Sequence, residues 1–233
     1  MSSPPPTTPW TDSAALLVDP SALRGRFRED GFVCLRALVS TAPLGELAAL
    51  VRKTLADQGL LGPDGLPTDR WRTDDPQRLA VHRAVLSSAA TDPLRHDPAL
   101  QSALECLLES PPDPAGGDVV RVRGPGDRTK PHQDRAYIAL DPLLTVWLPL
   151  EPCSVAHGPL AVLAGSHGGG VLPHPAGPDA EAGVAAVPPG TWVSGSLNPG
   201  DAVIFDGLAL HGALPTGPGR LRLSIDLRFA PAD

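Results

Sequence analysis

From Asp118 onward the chain breaks into short β-type runs divided by glycine and proline, and this limits the fold more than any other feature. The runs occupy 119–123, 132–140, 143–150, 160–163, 191–194, 202–205, 209–214 and 220–229. Short strands in that number bury their apolar faces by closing into two facing sheets, so a jelly roll or related double sheet is expected. The 24 glycines and 29 prolines gather between the runs, where they act as turn residues and not as a low-complexity block. No internal repeat is visible. The longest irregular stretch, residues 165–190, is long enough to read as a functional loop or lid.

Residues 20–110 read differently, as helix. Pro20 to Asp30 suits a short helix stopped at Gly31, followed by a brief strand at 32–35. Thr41 serves as an expected N-cap, with Pro43 in the first turn where its missing N–H does no harm. Leu44, Leu47, Val51 and Leu55 then form one apolar stripe. Asp97 and Pro98 open a further helix carrying Leu100, Leu104 and Leu108 on one side. The expected class is mainly β with flanking helices (α+β), around a double-stranded β-helix of jelly-roll or cupin-like kind. Residues 1–15, rich in Ser, Pro and Thr, are expected to be a disordered tail. Residues 16–233 are expected to form one domain, helical over 20–110 and jelly-roll over 118–230.

A formal charge of −7 argues against a nucleic-acid partner, and no basic run is present. No apolar stretch approaches the roughly 20 residues that span a bilayer. The first residues lack the charged and apolar regions of a signal peptide. Three cysteines (Cys34, Cys106, Cys153) without a CxxC pair read as reduced thiols. A cytoplasmic monomer or homodimer, free of membrane, is expected.

Chemistry enters at Pro131-His132-Gln133-Asp134. Two residues apart on a strand, His132 and Asp134 point to one face, so an imidazole and a carboxylate can reach one metal. A third ligand must come from elsewhere, and His211 is the best candidate. Two His and one carboxylate on one octahedral face leave three open positions, the arrangement of non-haem iron(II) oxygenases. An α-keto acid fills two of them and O₂ the third. Such a keto acid needs a cation for its distal carboxylate, and the alternation over 220–229 puts Arg222 and Ser224 on one face. Leu221, Leu223, Ile225, Leu227 and Phe229 share the other, apolar face. Two further readings stay open on these residues. The same triad suits a catalytic Zn²⁺ hydrolase, and a jelly roll can also bind ligands without turnover.

The motifs in order resemble the phytanoyl-CoA dioxygenase family of iron(II)/2-oxoglutarate oxygenases, in particular its small bacterial members. They are Phe27-Arg28-Glu29-Asp30-Gly31-Phe32-Val33, Pro131 to Tyr137, Thr145-Val146-Trp147-Leu148-Pro149-Leu150, His157-Gly158-Pro159, Gly165-Ser166-His167, Pro199-Gly200-Asp201, His211-Gly212 and Arg222-Leu223-Ser224. The resemblance implies iron(II) on His132, Asp134 and His211, and 2-oxoglutarate held through Arg222. It also implies Gln133 and Trp147 lining the co-substrate pocket, helped by Thr145, Tyr137 and Ser224. O₂ is the second co-substrate, and a small molecule is the substrate. The expected reaction oxidises an aliphatic C–H bond, with succinate and CO₂ as co-products, as a tailoring step in bacterial secondary metabolism. Retention of Asp134 favours hydroxylation, desaturation or cyclisation over halogenation. Some family members carry a hydroxyl residue two positions after the distal His; here that position is Ala213.

Other residues read more plainly. His167 is a structural loop histidine, while His157 and His174 lie in Gly/Pro-rich loops. Arg121, Arg123 and Arg135 flank the first ligand strand, where exposure is the simpler account and an anionic substrate the sharper one. Trp71 and Trp192 could wall the pocket, but plain core is the simpler account, and nothing near Cys153 suggests an activated thiol.

Overall fold

The computed structural model describes residues 6–72, 76–174 and 183–232, with 76–80 described in backbone only. Its helices are α1 (Pro20–Asp30), α2 (Thr41–Asp57), α3 (Pro76–Leu86), α4 (Asp92–Arg95) and α5 (Pro98–Leu108). The strands are β1 (Thr7–Thr8), β2 (Phe32–Leu35), β3 (Pro112–Pro114), β4 (Val119–Arg123), β5 (Thr129–His132) and β6 (Leu144–Pro149). They continue with β7 (Leu160–Leu163), β8 (Trp192–Ser194), β9 (Ala202–Asp206), β10 (His211–Ala213) and β11 (Arg222–Pro231).

Local chemistry sets the helix ends. Asp19 and Asp97 accept from the first free backbone N–H groups of α1 and α5, at 3.0–3.1 Å, each ahead of a proline. Such caps contribute about 1 kcal/mol each. Gly31 ends α1 at φ +78, a conformation that a side chain resists. At α2 the cap is Ser40 and not Thr41; its side chain makes no capping bond, and its N–H goes to Asp97 instead.

Two sheets face each other. The larger runs β2-β9-β6-β11-β3, with β4 also paired to β11, and the smaller runs β1-β8-β7-β10-β5. Period-2 alternation sorts the larger sheet. Val146, Leu148, Leu223, Ile225, Leu227 and Phe229 join the helix leucines in one apolar core. Phe32, Cys34, Trp147, Val203 and Phe205 turn to the space between the sheets, where Val162 and Val193 meet them. That inter-sheet space carries the site.

The structure differs from the sequence expectation in two further places. The first ligand strand ends at His132, not near 140, because Tyr137 and Ile138 donate back to the Asp134 carbonyl and wind 134–136 into a turn. The second is the expected tail. Residues 1–5 lie outside the described residues, but Thr7 and Thr8 pair with β8. Trp10 then buries its ring edge-on to Phe32 and donates to the Gly195 carbonyl. An indole that finds both an apolar wall and an acceptor is enough to order this segment.

Candidate metal centre

His132 and His211 are direct cross-strand partners on β5 and β10. Their rings lie 4.2 Å apart between centroids. Gly212 permits this approach: a Cβ there would sit 2.8 Å from the Thr129 carbonyl oxygen. Each ring is oriented from behind. Nδ1 of His132 lies 2.9 Å from the Lys130 carbonyl, and Nδ1 of His211 lies 3.0 Å from that of Ala209. A carbonyl only accepts, so Nδ1 carries the proton in both rings and Nε2 presents its lone pair inward.

Asp134 completes the group from the turn after β5. Its Oδ1 stands 3.9 Å from His132 Nε2 and 3.8 Å from His211 Nε2. That is too far to hydrogen-bond, yet all three ligand atoms lie within 4.8 Å of one another. The three residues are buried, and Nε2 of His211 has no hydrogen-bond partner among the described residues. Burial lowers both imidazoles below their ordinary range, and for His132 the neighbouring His211 adds to it. Both are therefore neutral at pH 7, as metal ligation needs. Burial alone would raise the Asp134 carboxyl, but His211 and the Arg228 guanidinium outweigh it and hold the group far below the carboxylate range. A neutral, neutral, anionic donor set around an unpartnered lone pair fits a divalent ion.

The cavity in front of the triad is walled by Trp147, Phe205, Arg121, Asp226 and Arg222. Arg222 is buried, with its Cζ 5.8 Å from the Trp147 ring centroid and Nη1 donating to Ser224 Oγ at 3.1 Å. Its Nε and Nη2 have no hydrogen-bond partner among the described residues. Burial lowers this guanidinium to about 10, which leaves it charged at neutral pH. Arg121 lines the same cavity, tied by Nε to Asp226 Oδ2 at 2.6 Å.

The remaining residues named from sequence fall into two groups. Trp147 and Ser224 lie with Arg222 as just described. Thr145 instead donates to Asp134 Oδ2 at 2.6 Å. Tyr137 is partly exposed, its ring 6.2 Å from that of His132 and 5.6 Å from that of His174. Gln133 is buried, and its amide is engaged by loop backbone. Its amide donates to the Gly170 and Leu208 carbonyls and accepts from Leu172 N–H, fastening the loop after β7 to the ligand segment. His174 accepts from the Gln133 N–H and strengthens that join. Of the 165–190 loop, residues 175–182 lie outside the described residues.

His167 packs over Gly31 and reaches the Arg28 carbonyl, and His157 caps a turn with Ser154. Arg123 donates to Thr129, and Arg135 pairs with Asp141. Trp71 donates to Asp127, while Trp192 sits in an apolar cluster outside the smaller sheet. Burial raises the Cys153 thiol to about 11, so it is protonated and inert at neutral pH.

Sequence reasoning missed Arg228. It is buried on β11 and grips Asp134 with two bonds, Nε to Oδ2 and Nη2 to Oδ1, both 3.1 Å. Its third nitrogen donates to the Gly117 carbonyl. The signal was present, since 228 has the parity of 222 and 224 on an alternating strand.

Comparison with known proteins settles the family. The model of the phytanoyl-CoA dioxygenase family matches residues 27–222. The chain belongs to the phytanoyl-CoA dioxygenase family. This family member is an oxidoreductase, and hydroxylases stand among its curated relatives. One, the 1-deoxypentalenic acid 11-beta-hydroxylase of Streptomyces exfoliatus, is 30% identical, over 96% of this chain and 85% of that one. Among solved structures, EvdO2 from Micromonospora carbonacea var. aurantiaca, complexed with 2-oxoglutarate, is 25% identical with a TM-score of 0.62, covering 91% of each chain. The epimerase SnoN, solved with Fe³⁺, alpha ketoglutarate and nogalamycin RO, shares the fold at 24% identity and a TM-score of 0.68, over 92% of this chain and 85% of that one. No helix among the described residues of this family member is long and apolar enough to cross a membrane.

Proposed function

We propose that this chain is an iron(II)- and 2-oxoglutarate-dependent dioxygenase that oxidises an aliphatic C–H bond of a small molecule, as a tailoring step in bacterial secondary metabolism. The observation that carries the reading is a pair of unmet demands in one cavity. The triad aims donor atoms at a common point, and Arg222 offers two buried donor nitrogens with no acceptor among the described residues. An unsatisfied buried polar group costs about 1–3 kcal/mol. An elongated dianion that chelates at the triad and reaches Arg222 answers both demands, and 2-oxoglutarate has that shape and charge. The 2-oxoglutarate complexed in the EvdO2 structure supports the same choice.

His132, Asp134 and His211 would hold the iron by one side. When bound, iron(II) lets O₂ oxidise the keto acid and supplies the power to break a C–H bond. Arg222 and Ser224 hold the distal carboxylate, and the Trp147 ring stacked by that guanidinium fixes its direction. Phe205 and Leu160 make the wall apolar and exclude water. Keto acid, O₂ and substrate C–H would be consumed together, giving succinate, CO₂ and the oxidised product. The hydroxylase relative supports hydroxylation as the outcome.

The test is succinate formation across a panel of candidate small molecules, with His211→Ala as control. Succinate that requires Fe(II), 2-oxoglutarate and O₂ and vanishes in the control is the expected result. Turnover of a substrate without O₂ or keto acid would overturn the reading in favour of metal-assisted hydrolysis. A melting curve unmoved by Fe(II) with 2-oxoglutarate under anaerobic conditions would also end it.

A further inference from the structure

We infer that Arg228 and Thr145 are positioning residues that restrict Asp134 to coordination through a single oxygen, keeping the adjacent metal positions open for a chelating co-substrate. The inference rests on the metal reading above and adds what fixes the mode of the carboxylate. A free carboxylate binds a metal through one oxygen or both. In this site the two oxygens have unlike surroundings. Oδ1 faces the Nε2 atoms of both imidazoles at 3.8 and 3.9 Å. Oδ2 is occupied by two donors, Thr145 Oγ1 at 2.6 Å and Arg228 Nε at 3.1 Å. An oxygen with both its accepting directions taken is a poor second donor to a metal.

The clamp is rigid. Arg228 and Thr145 are direct cross-strand partners on β11 and β6, so the larger sheet supplies both donors as one unit. The guanidinium is planar, and its Nη2 contact to Oδ1 at 3.1 Å fixes the carboxylate plane as well as its distance. Its remaining nitrogen is held by Gly117, and the Arg228 backbone N–H is held by Asp118. Asp134 sits in a turn beyond the end of β5, without a sheet neighbour to steady it. The large sheet thus orients a ligand that the small sheet cannot. The consequence is chemical: a carboxylate using both oxygens would take a position that a keto acid or O₂ needs.

The experiment compares wild type, Arg228→Lys, Arg228→Met and Thr145→Val, all metal-free at the start. Affinity is measured by titration with Co(II) alone. The visible absorption of the anaerobic Fe(II)–2-oxoglutarate chelate is measured alongside. Arg228→Met is expected to weaken Co(II) binding by about 10- to 100-fold. It should also lose the chelate absorption at metal concentrations that fill the site. Arg228→Lys, with charge but no fork, falls between, and Thr145→Val shows the smaller loss of the same kind. A residue that merely supports the fold would lower the melting temperature and leave the chelate absorption of the folded fraction intact.

Wild-type Co(II) affinity together with wild-type chelate absorption in both Arg228 variants would overturn the inference. If Arg228→Met fails to fold, unchanged values in Arg228→Lys and Thr145→Val overturn it equally. Wild type that binds no metal at all would sink the functional reading itself, which separates the two failures.

Discussion

Along β11, Leu223, Ile225, Leu227 and Phe229 turn toward the helices, whereas Arg222, Ser224, Asp226 and Arg228 turn into the space between the sheets. Solvent reaches neither face, for every residue from 222 to 229 is buried. The apolar face needs no partners beyond close packing. The polar face has to account for each charge, because an unpaired buried ion is far more costly than an exposed one. Arg228 is matched by Asp134, and Arg121 from β4 is matched by Asp226. Among the described residues, Arg222 is the one arginine of this face that keeps two nitrogens without acceptors. Burial therefore does not separate core from site on this strand. What separates them is whether the buried groups are complete without a ligand.

Removing a metal ligand breaks that comparison most severely. His211→Ala deletes a donor atom that has no other partner among the described residues, and metal affinity should fall by more than the roughly 100-fold typical of lost supporting contacts. Titration with Fe(II) or Co(II) under anaerobic conditions reads this directly. The fold should survive, since His211 belongs to the smaller sheet and makes no part of the helix-facing core. Arg222→Gln comes next. Truncating one partner of a buried charge pair costs about 2–5 kcal/mol, so the KM for 2-oxoglutarate should rise roughly 30-fold or more. Metal affinity without the keto acid should stay near wild type, because Arg222 touches none of the triad. A KM that barely moves would remove the guanidinium from the co-substrate site.

The two faces were unequally legible from sequence. The apolar face follows from alternation alone, and so do the helix stripes and the caps at Asp19 and Asp97. His132, Asp134 and His211 were legible as residue types suited to one ion, and the structure brings their donor atoms together. Arg228 has the same parity as Arg222, but its partner lies 94 residues away across the molecule. Parity gives a face and not a contact. The early end of β5 was hidden for a similar reason, since bonds back to the Asp134 carbonyl decide it. For Gln133, the resemblance suggested a pocket wall, while the local chain direction turns its amide to the 170–172 backbone. Order at Thr7 and Trp10 depended on distant neighbours that a Pro-rich segment does not advertise.

The apolar face supplies a third, more moderate expectation. Ile225→Ala removes a fully buried side chain from the helix-facing core and should lower stability by about 2–5 kcal/mol. Denaturant unfolding of the metal-free protein measures it, and Co(II) affinity of the folded fraction should be unchanged. Altered affinity would mean that the faces are coupled through the strand, and the contrast between them would lose its meaning.

The smallest effect distinguishes the faces by pH. Burial holds His132 and His211 below their ordinary range, so the folded protein binds fewer protons there than the unfolded chain does. Stability of the metal-free protein must then be full above the unfolded value of about 6.5 and decline as pH falls beneath it, by up to about 1.4 kcal/mol per pH unit for each ring. Asp134 is shifted in the same direction, and its contribution is lost at a lower pH. Its depressed carboxyl contributes stability above the unfolded value of about 4, and that part fades only at lower pH. Of these three ligands, only the two histidines contribute to the slope between pH 6.5 and 4, beside the lowered His82 and His157 and the raised Asp206 elsewhere. Unfolding free energies at several pH values should slope in wild type and slope less in His211→Ala. Ile225→Ala should lie parallel to wild type and lower, because a lost methyl cluster carries no proton. A wild-type curve flat through this window would mean that the imidazoles are not held neutral by burial, and the metal-ready state of the site would have to be explained by something other than its surroundings.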